Sequence, residues 1–202
     1  MLNSIRAGGV LMVPIILCGI IATFIIIERC FYYVNIKKRD EKLINDLQGS
    51  LSSRNFDACA VACTEAGKPM AQVLKKAFDC RRYEEKDLRE LVEAEMDFVV
   101  PRLEHLLTPL GTIANIATLL GLLGTVTGNI KAFGVLGSGG TMGDPALLAT
   151  AISEALVTTV AGLIVSIPSM IFHNYFISRV NHRLVEMESK VTEILVRLTG
   201  RI

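Results

Sequence analysis

Charge is missing from three long stretches of this 202-residue chain, although 20% of its residues are charged. No Asp, Glu, Lys or Arg occurs in Ala7–Ile27 or in Leu106–Ile130, and Pro145–Ser178 contains Glu154 as its one charged residue. About 20 apolar helical residues cross the hydrocarbon core of a bilayer. Soluble domains seldom need three such runs, so the pattern predicts an all-α membrane protein with three transmembrane helices.

Several kinds of binding site are missing as well. Tryptophan is absent and no aromatic base-stacking pattern accompanies the basic residues, so nucleic-acid binding is not expected. The GSGG sequence at Gly137 has neither a preceding strand nor a following GK[ST], which excludes a phosphate loop, and no cofactor is expected. Cys59 and Cys63 are four residues apart but have no further ligands nearby, so no metal site is expected. All five cysteines fall in segments where thiols stay reduced.

The basic residues indicate the orientation of the chain. Most of the 21 Lys and Arg residues lie from Arg29 to Arg102, a second group follows Ser178, and Arg6 and Lys131 are the exceptions. By the positive-inside rule, the N-terminus faces outward and the C-terminus is cytoplasmic. No small-residue cleavage site precedes Glu28, so the first apolar run is predicted to be an uncleaved anchor.

These signals divide the chain into six segments. We expect an outward N-terminus and first span (1–30), a cytoplasmic helical hairpin (31–105), a second span (106–131), a periplasmic loop (132–145), a third span (146–177) and a cytoplasmic C-terminal helix (178–202).

The cytoplasmic segments are predicted to extend the membrane helices. Asn55 or Asp57 can cap a helix there, and Gly67-Lys68-Pro69 predicts a turn. Apolar residues then keep one helical face without a clear break into the second span, where Pro101 and Pro109 predict kinks. The tail has a heptad-like series that suits either packing within the chain or contact with neighbouring subunits: Val180, Leu184, Met187, Val191, Ile194 and Leu198.

The second and third spans contain small and hydroxylated residues that would be wasted on lipid. Gly121, Gly124 and Gly128 in the second span, with Gly162 in the third, are predicted to let helices pack closely. Five polar residues predict that the second span is mostly surrounded by protein or water: Thr112, Asn115, Thr118, Thr125 and Thr127.

Glu154 is the candidate functional residue, because a charged group at membrane depth costs on the order of 2.5 to 3.5 kcal/mol on insertion scales. Thr150, Thr158, Gly162 and Ser166 continue its helical face at four-residue steps, a pattern typical of the lining of a polar path. Such a carboxyl group can bind a proton and release it when water or a cation arrives. Alternatively, it is a protonated helix–helix hydrogen-bonding group, or it is solvated near the surface.

A relay from Glu154 is expected to need another polypeptide. The spans contain no second carboxylate and no Lys at membrane depth, so a partner or another copy of the chain should complete any pathway. An enzyme such as an intramembrane hydrolase is not expected, because it would require two carboxylates or a nucleophile with a base. His173, among aromatic residues, is interpreted as an interfacial residue.

Two stretches carry a resemblance to a known family. LGTIANIATLLGLLGTVTGNIKAF in the second span and LATAISEALVTTVAGLIVSIPSMIFHNYF in the third resemble the proton-channel family of ExbB, TolQ and MotA, and the three-span ExbB/TolQ branch fits best. The resemblance implies a homo-pentamer in the bacterial inner membrane, with the second and third spans around a central pore. It also implies a dimeric, single-span ExbD/TolR-like partner that bears a membrane Asp, and a TonB/TolA-like protein beyond it.

Carried over to this sequence, the family's characteristic positions are Glu154, Thr125 in GLLGTV and Thr159 in the Thr-Thr pair. One departure is Thr118, where the family often has Pro. Thr159 lies five residues after Glu154, roughly 140° around an ideal helix, so Thr158 is the better neighbour of Glu154 on its helical face.

The sequence therefore predicts a proton-channel stator subunit that converts proton flux into movement of a partner. The alternative is a non-conducting scaffold in which Glu154 is an interhelical hydrogen-bonding group. The choice between nutrient import, envelope maintenance and motility, and that between protons and sodium ions, stay open.

Overall fold

The structure is a computed structural model that describes residues 9–53, 55–67, 69–138 and 145–198, without the side chains of Ser52 and Ser138. Several predicted features lie outside the described residues. They are the N-terminus ahead of Gly9, Lys68 in the predicted turn, residues 139–144 of the predicted outer loop and the last four residues.

The described residues form helices joined by turns. The helices are α1 (Met12–Ser52), α2 (Phe56–Ala66), α3 (Pro69–Asp79), α4 (Glu85–Leu103), α5 (Leu107–Ser138) and α6 (Pro145–Leu198). Three of them, α1, α5 and α6, are long and apolar enough to cross a membrane. This confirms the prediction of an all-α chain with three apolar helices of spanning length.

The chain forms two compact units. The first contains α5, the described residues up to Glu28, and α6 as far as Tyr175. The second contains Arg29–His105 and α6 from Phe176 onward, so α1 and α6 contribute to both units.

In the first unit, α5 and α6 approach so closely that backbone meets backbone. A Cβ atom added at Gly162 would lie 2.6 Å from the carbonyl oxygen of Ala117 and 3.0 Å from the Cα of Gly121. A Cβ at Gly124 would lie 2.6 Å from the Cβ of Thr158. We call this line of contact the α5–α6 seam, and glycine is required along it because no methyl group fits.

The other faces of the three apolar helices are uncovered in the single chain. Helix α1 buries Ile15 and Ala22, and its Gly19 lies against Val165 of α6. Large apolar side chains elsewhere on these helices are exposed, including Leu17, Phe24, Leu119, Val126, Phe133, Leu156, Ile164 and Ile171. Exposure on this scale is unusual for a soluble protein and suits contact with lipid or with other subunits.

The second unit contains two short helices that the sequence analysis did not separate from the predicted hairpin. Helix α3 is at its centre, because Met70, Ala71, Val73, Leu74, Ala77 and Phe78 are all buried. The ring of Phe78 stacks on that of Phe56 at 6.4 Å between centroids. Asn55 accepts a hydrogen bond from the backbone N–H of Ala58, which confirms it as a helix cap.

The prediction that the returning helix continues into the second span without a clear break is wrong. Helix α4 ends at Leu103 and α5 begins at Leu107, and Leu106 between them has a φ of 67°. A left-handed conformation costs a residue with a side chain roughly 1–2 kcal/mol. The hydroxyl of Tyr33 donates to the carbonyl oxygen of Leu103 at 2.8 Å, and Arg29 contacts His105 at 3.2 Å. The Tyr33 hydroxyl supplies a partner to one carbonyl at the end of α4, where helical carbonyls lose theirs.

The tail of α6 packs within the second unit. Val180, Met187, Val191 and Ile194 of the heptad-like series are buried. Ile194 lines a cleft together with Leu47 and Leu51 from the last turns of α1. Packing within the chain therefore accounts for most of this series.

We expect Gly162→Ala to destabilise the chain by about 1–3 kcal/mol, because the new methyl group forces α5 and α6 apart. Gly137→Ala in α5 is the matched control, since a Cβ there meets nothing within 4 Å. Thermal unfolding followed by circular dichroism in detergent should show a lower Tm for the first variant alone. Equal Tm values for both would contradict the close approach of the two helices.

The thiols of α2 are predicted to be unreactive in the folded chain. Burial raises the pKa of Cys59, and it raises that of Cys63 to about 12, with the negative charge of Asp79 adding to the rise. The thiolate is the reactive form, so at pH 8 about one Cys63 in ten thousand is ionised. N-ethylmaleimide should modify exposed Cys30 well before Cys59 and Cys63, as measured by peptide mass spectrometry. Equal rates before denaturation would contradict the burial of α2.

Candidate functional site

Glu154 lies one-third of the way along the apolar part of α6, and its carboxylate pairs with a lysine from α5. The Nζ atom of Lys131 is 2.8 Å from Oε1 of Glu154 and 3.0 Å from Oε2. The side chain of Glu154 is 24% exposed and that of Lys131 is 57% exposed. An ammonium within bonding distance of both oxygens neutralises the charge that would otherwise be costly in an apolar surrounding.

The backbone ahead of α1 covers the carboxylate from a second direction. Gly9 has a φ of 64°, and a Cβ atom there would collide with the carboxylate of Glu154. This position requires glycine for two reasons, because left-handed backbone disfavours side chains and because the carboxylate occupies the space. The start of the chain's first helix therefore contributes to the site.

A cavity of about 250 Å³ lies beside the ion pair. Its walls come from α5, α6 and the residues around the start of α1, and they are mostly small or apolar: Val10, Leu11, Gly124, Thr127, Gly128, Lys131, Glu154 and Thr158. Among the described residues of this lining, Glu154 and Lys131 are the charged ones. The cavity is large enough to hold several water molecules next to the carboxylate.

The predicted threonines are engaged with backbone carbonyls. Thr158 is buried, and its hydroxyl donates to the carbonyl oxygen of Glu154 at 2.6 Å. Thr159 donates across the seam to Gly121 at 2.9 Å, and Thr125 donates within α5 to Leu122 at 2.6 Å. Thr158 lines the cavity, whereas Thr125 and Thr159 do not.

The stripe that continues the face of Glu154 is covered by α5 in the single chain. Thr158, Gly162 and Ser166 are buried there, and the hydroxyl of Ser166 is 2.6 Å from that of Thr118. Thr150 is exposed, and its hydroxyl donates to the carbonyl of Ala146. These residues thus form a packing face between two helices, and their role in lining a polar path stays a prediction.

His173 belongs to the same seam at the end far from Glu154. Its Nδ1 lies 2.9 Å from the carbonyl oxygen of Leu107, so this nitrogen donates the hydrogen. The ring occupies the space that a side chain at Gly111 would fill, with Cε1 at 2.8 Å from the added Cβ. His173 is therefore a helix-packing residue, and its place at the membrane interface stays a prediction.

Lys131 is the residue that the sequence analysis missed, because it was considered only as an exception to the distribution of basic residues and not as a contact of Glu154. A signal was present in the sequence. Gly124, Gly128 and Lys131 are spaced by four and three residues, so they share the face of α5 that packs on α6. Gly128 faces Ala155 and Ala151, which places α6 close enough for the lysine to reach Glu154.

The site offers one group that exchanges protons and one fixed cation. Among the described residues, no group of three or more His, Cys, Asp or Glu side chains is arranged to hold a metal ion. Glu154 can accept a proton, Lys131 can donate hydrogen bonds to it, and the cavity gives room for water or a small ion.

Comparison with known proteins points to one family. The model of the MotA/TolQ/ExbB proton channel family matches residues 65–189. The chain is 34% identical over 171 residues to the putative biopolymer transport protein ExbB-like 3 of Synechocystis sp., which covers 84% of this chain and 81% of that protein.

Two further relatives carry related names. The biopolymer transport protein ExbB of Neisseria meningitidis serogroup A is 26% identical over 203 residues, covering 94% of this chain and 90% of the relative. The Tol-Pal system protein TolQ of Haemophilus influenzae is 36% identical over 86 residues, or 43% of this chain and 37% of the relative. With three helices of spanning length and a match that includes α5 and most of α6, the chain belongs to the MotA/TolQ/ExbB proton channel family.

Proposed function

We propose that this chain is the channel-forming stator subunit of a complex that couples the proton motive force to mechanical work on envelope proteins. The observation that carries the proposal is the carboxylate of Glu154 beside a cavity in the apolar part of α6. A proton channel needs a group that binds and releases protons inside the apolar layer. Glu154 is the one carboxylate in Pro145–Ser178, and we assign this role to it.

The proton path needs a second group on another polypeptide. The hydroxyls of Thr125, Thr158 and Thr159 donate to backbone carbonyls. We assign the second group to a membrane Asp of a single-span ExbD/TolR-like subunit. A TonB/TolA-like protein would receive the resulting movement.

The exposed apolar faces of α5 and α6 favour a homo-oligomer. Leu119 and Val126 on α5, with Leu156 and Ile164 on α6, are between 49% and 67% exposed in the single chain. Lipid and neighbouring subunits would share these faces in a ring. A pentamer with the second and third spans around a central pore is the assembly that the family resemblance implies.

The distribution of basic residues supports a location in the inner membrane with the N-terminus in the periplasm and the C-terminus in the cytoplasm. In that orientation Glu154 lies toward the periplasmic side. Each charge that moves through 100 mV is worth about 2.3 kcal/mol, so one or two protons can drive a rearrangement between subunits.

A non-conducting scaffold is the second candidate, and the ion pair favours it. Lys131 already neutralises Glu154, and the seam carries further polar contacts between Thr159 and Gly121 and between Ser166 and Thr118. Two helices held together by these contacts can organise a complex without conducting protons. Measurement of flux separates the two candidates.

The process that is energised depends on the partner. The relatives' names refer to biopolymer transport and to the Tol-Pal system, and both uses are open to this chain. Identifying the single-span protein that copurifies with the chain would decide between them.

We expect Glu154→Gln to lower proton flux by at least about tenfold, because the amide keeps the shape of the side chain but cannot exchange a proton in this way. The chain and its copurifying single-span partner are reconstituted in sodium-free liposomes. An internal pH-sensitive dye then reports acidification under a potassium diffusion potential.

Glu193→Gln is the matched control, since Glu193 is an exposed residue of the α6 tail that pairs with Arg197. It should leave flux unchanged. Flux that is equal in wild type and Glu154→Gln would contradict the channel, and absence of flux from both, with an intact complex, would favour the scaffold.

A further inference from the structure

We propose that Lys131 is a positioning residue that acts as a tethered counter-ion and competes with protons for the Glu154 carboxylate until the pair separates. The inference rests on the proposed function, because it assigns how the proton-binding site is controlled. Three features support it: the distances between Lys131 and Glu154, the partial burial of the Glu154 carboxylate, and the position of Lys131 on the α5–α6 seam.

The ammonium of Lys131 donates hydrogen bonds to both oxygens of the Glu154 carboxylate. With distances of 2.8 Å and 3.0 Å, Nζ of Lys131 takes up one lone-pair position on each oxygen. An opposite charge at this distance favours the ionised form of a carboxyl group. A proton and the ammonium therefore compete for the same two atoms.

Apart from the pair, the described residues that line the cavity carry no charge. Gly9, Val10 and Leu11 contact the site from the start of the chain, and Thr127 and Thr158 are the polar residues nearest to it in the cavity. Among the described residues that line the cavity, Lys131 is the one cation and Glu154 the one anion. Removal of the lysine would leave the carboxylate without a counter-ion among the described residues of the lining.

The lysine is placed so that movement of α5 relative to α6 would control the pair. Gly128, one turn before Lys131, lies directly against Ala155, the residue after Glu154. A small separation or rotation at this point would lengthen the contact between Lys131 and Glu154. The carboxylate would then accept a proton from the cavity, which links protonation to helix position.

The test measures the reactivity of Glu154 toward dicyclohexylcarbodiimide. The reagent takes up the O–H of a protonated carboxylic acid across one C=N bond and rearranges to a stable N-acylurea, so the whole reagent is added and nothing is lost. Ionised carboxylates react poorly. Membranes that contain the full chain at its normal level are treated with the reagent from pH 6 to pH 9, and loss of the unmodified Glu154 peptide is followed by mass spectrometry.

We expect Lys131→Met to accelerate the loss at least about fivefold at pH 8 and to extend the reaction to higher pH, because the neutral acid becomes more abundant. Lys131→Arg keeps the positive charge and should retain the slow rate. Asn129→Ala, an exposed position two residues away on α5, should react as wild type does. Glu154→Gln should give no product at this peptide.

Two results would overturn the proposal. One is a rate in Lys131→Met that equals or falls below that of wild type, with the chain present in the membrane at an equal amount. The other is acceleration in Lys131→Arg as large as in Lys131→Met, which would indicate lost packing in place of lost charge. Because labelling needs no flux, a failure of the channel in liposomes leaves this measurement interpretable.

Discussion

The close approach of α5 and α6 is the constraint on which the first unit depends. Apolar side chains gain little by leaving lipid for another helix, so packing and interhelical hydrogen bonds must hold two membrane helices together. Gly121 and Gly162 remove the side chains that would keep the backbones apart, and the hydroxyl of Thr159 then reaches the carbonyl oxygen of Gly121. The same closeness lets His173 fill the space above Gly111.

The ion pair is a consequence of this seam as much as of its own charges. Lys131 reaches Glu154 because Gly128 lies against Ala155 and Ala151, the residues that flank the carboxylate along α6. A larger residue at position 128 would push the two charges apart, and each would then have to find water or another partner. The glycines of the seam therefore determine the electrostatics of the site through distance.

Much of the architecture could be predicted from the sequence, because the signals are local. The uncharged runs gave the three apolar helices, and Asn55 marked the start of α2. The break at Leu106 could not be predicted from its neighbours, since the end of α4 is held by contacts of Tyr33 with Leu103 and of Arg29 with His105, which are distant in the sequence. Helix α3 was not recognised as a separate helix. Its buried residues begin directly after the turn at Gly67 and repeat with the same helical period as those of the neighbouring helices.

The site shows the same division between local and distant information. Glu154 stands out in the sequence because the cost of a charge in an apolar run depends on its neighbours alone. Its pairing with Lys131 depends on which faces of two helices meet, and a lysine counted only as lying outside the span was not considered as a contact. A neutral pair also lowers the cost of placing Glu154 in the apolar layer. A movement that takes Lys131 away would leave Glu154 to find water, a proton or another cation, and in our proposal the exchange for a proton couples proton binding to helix motion.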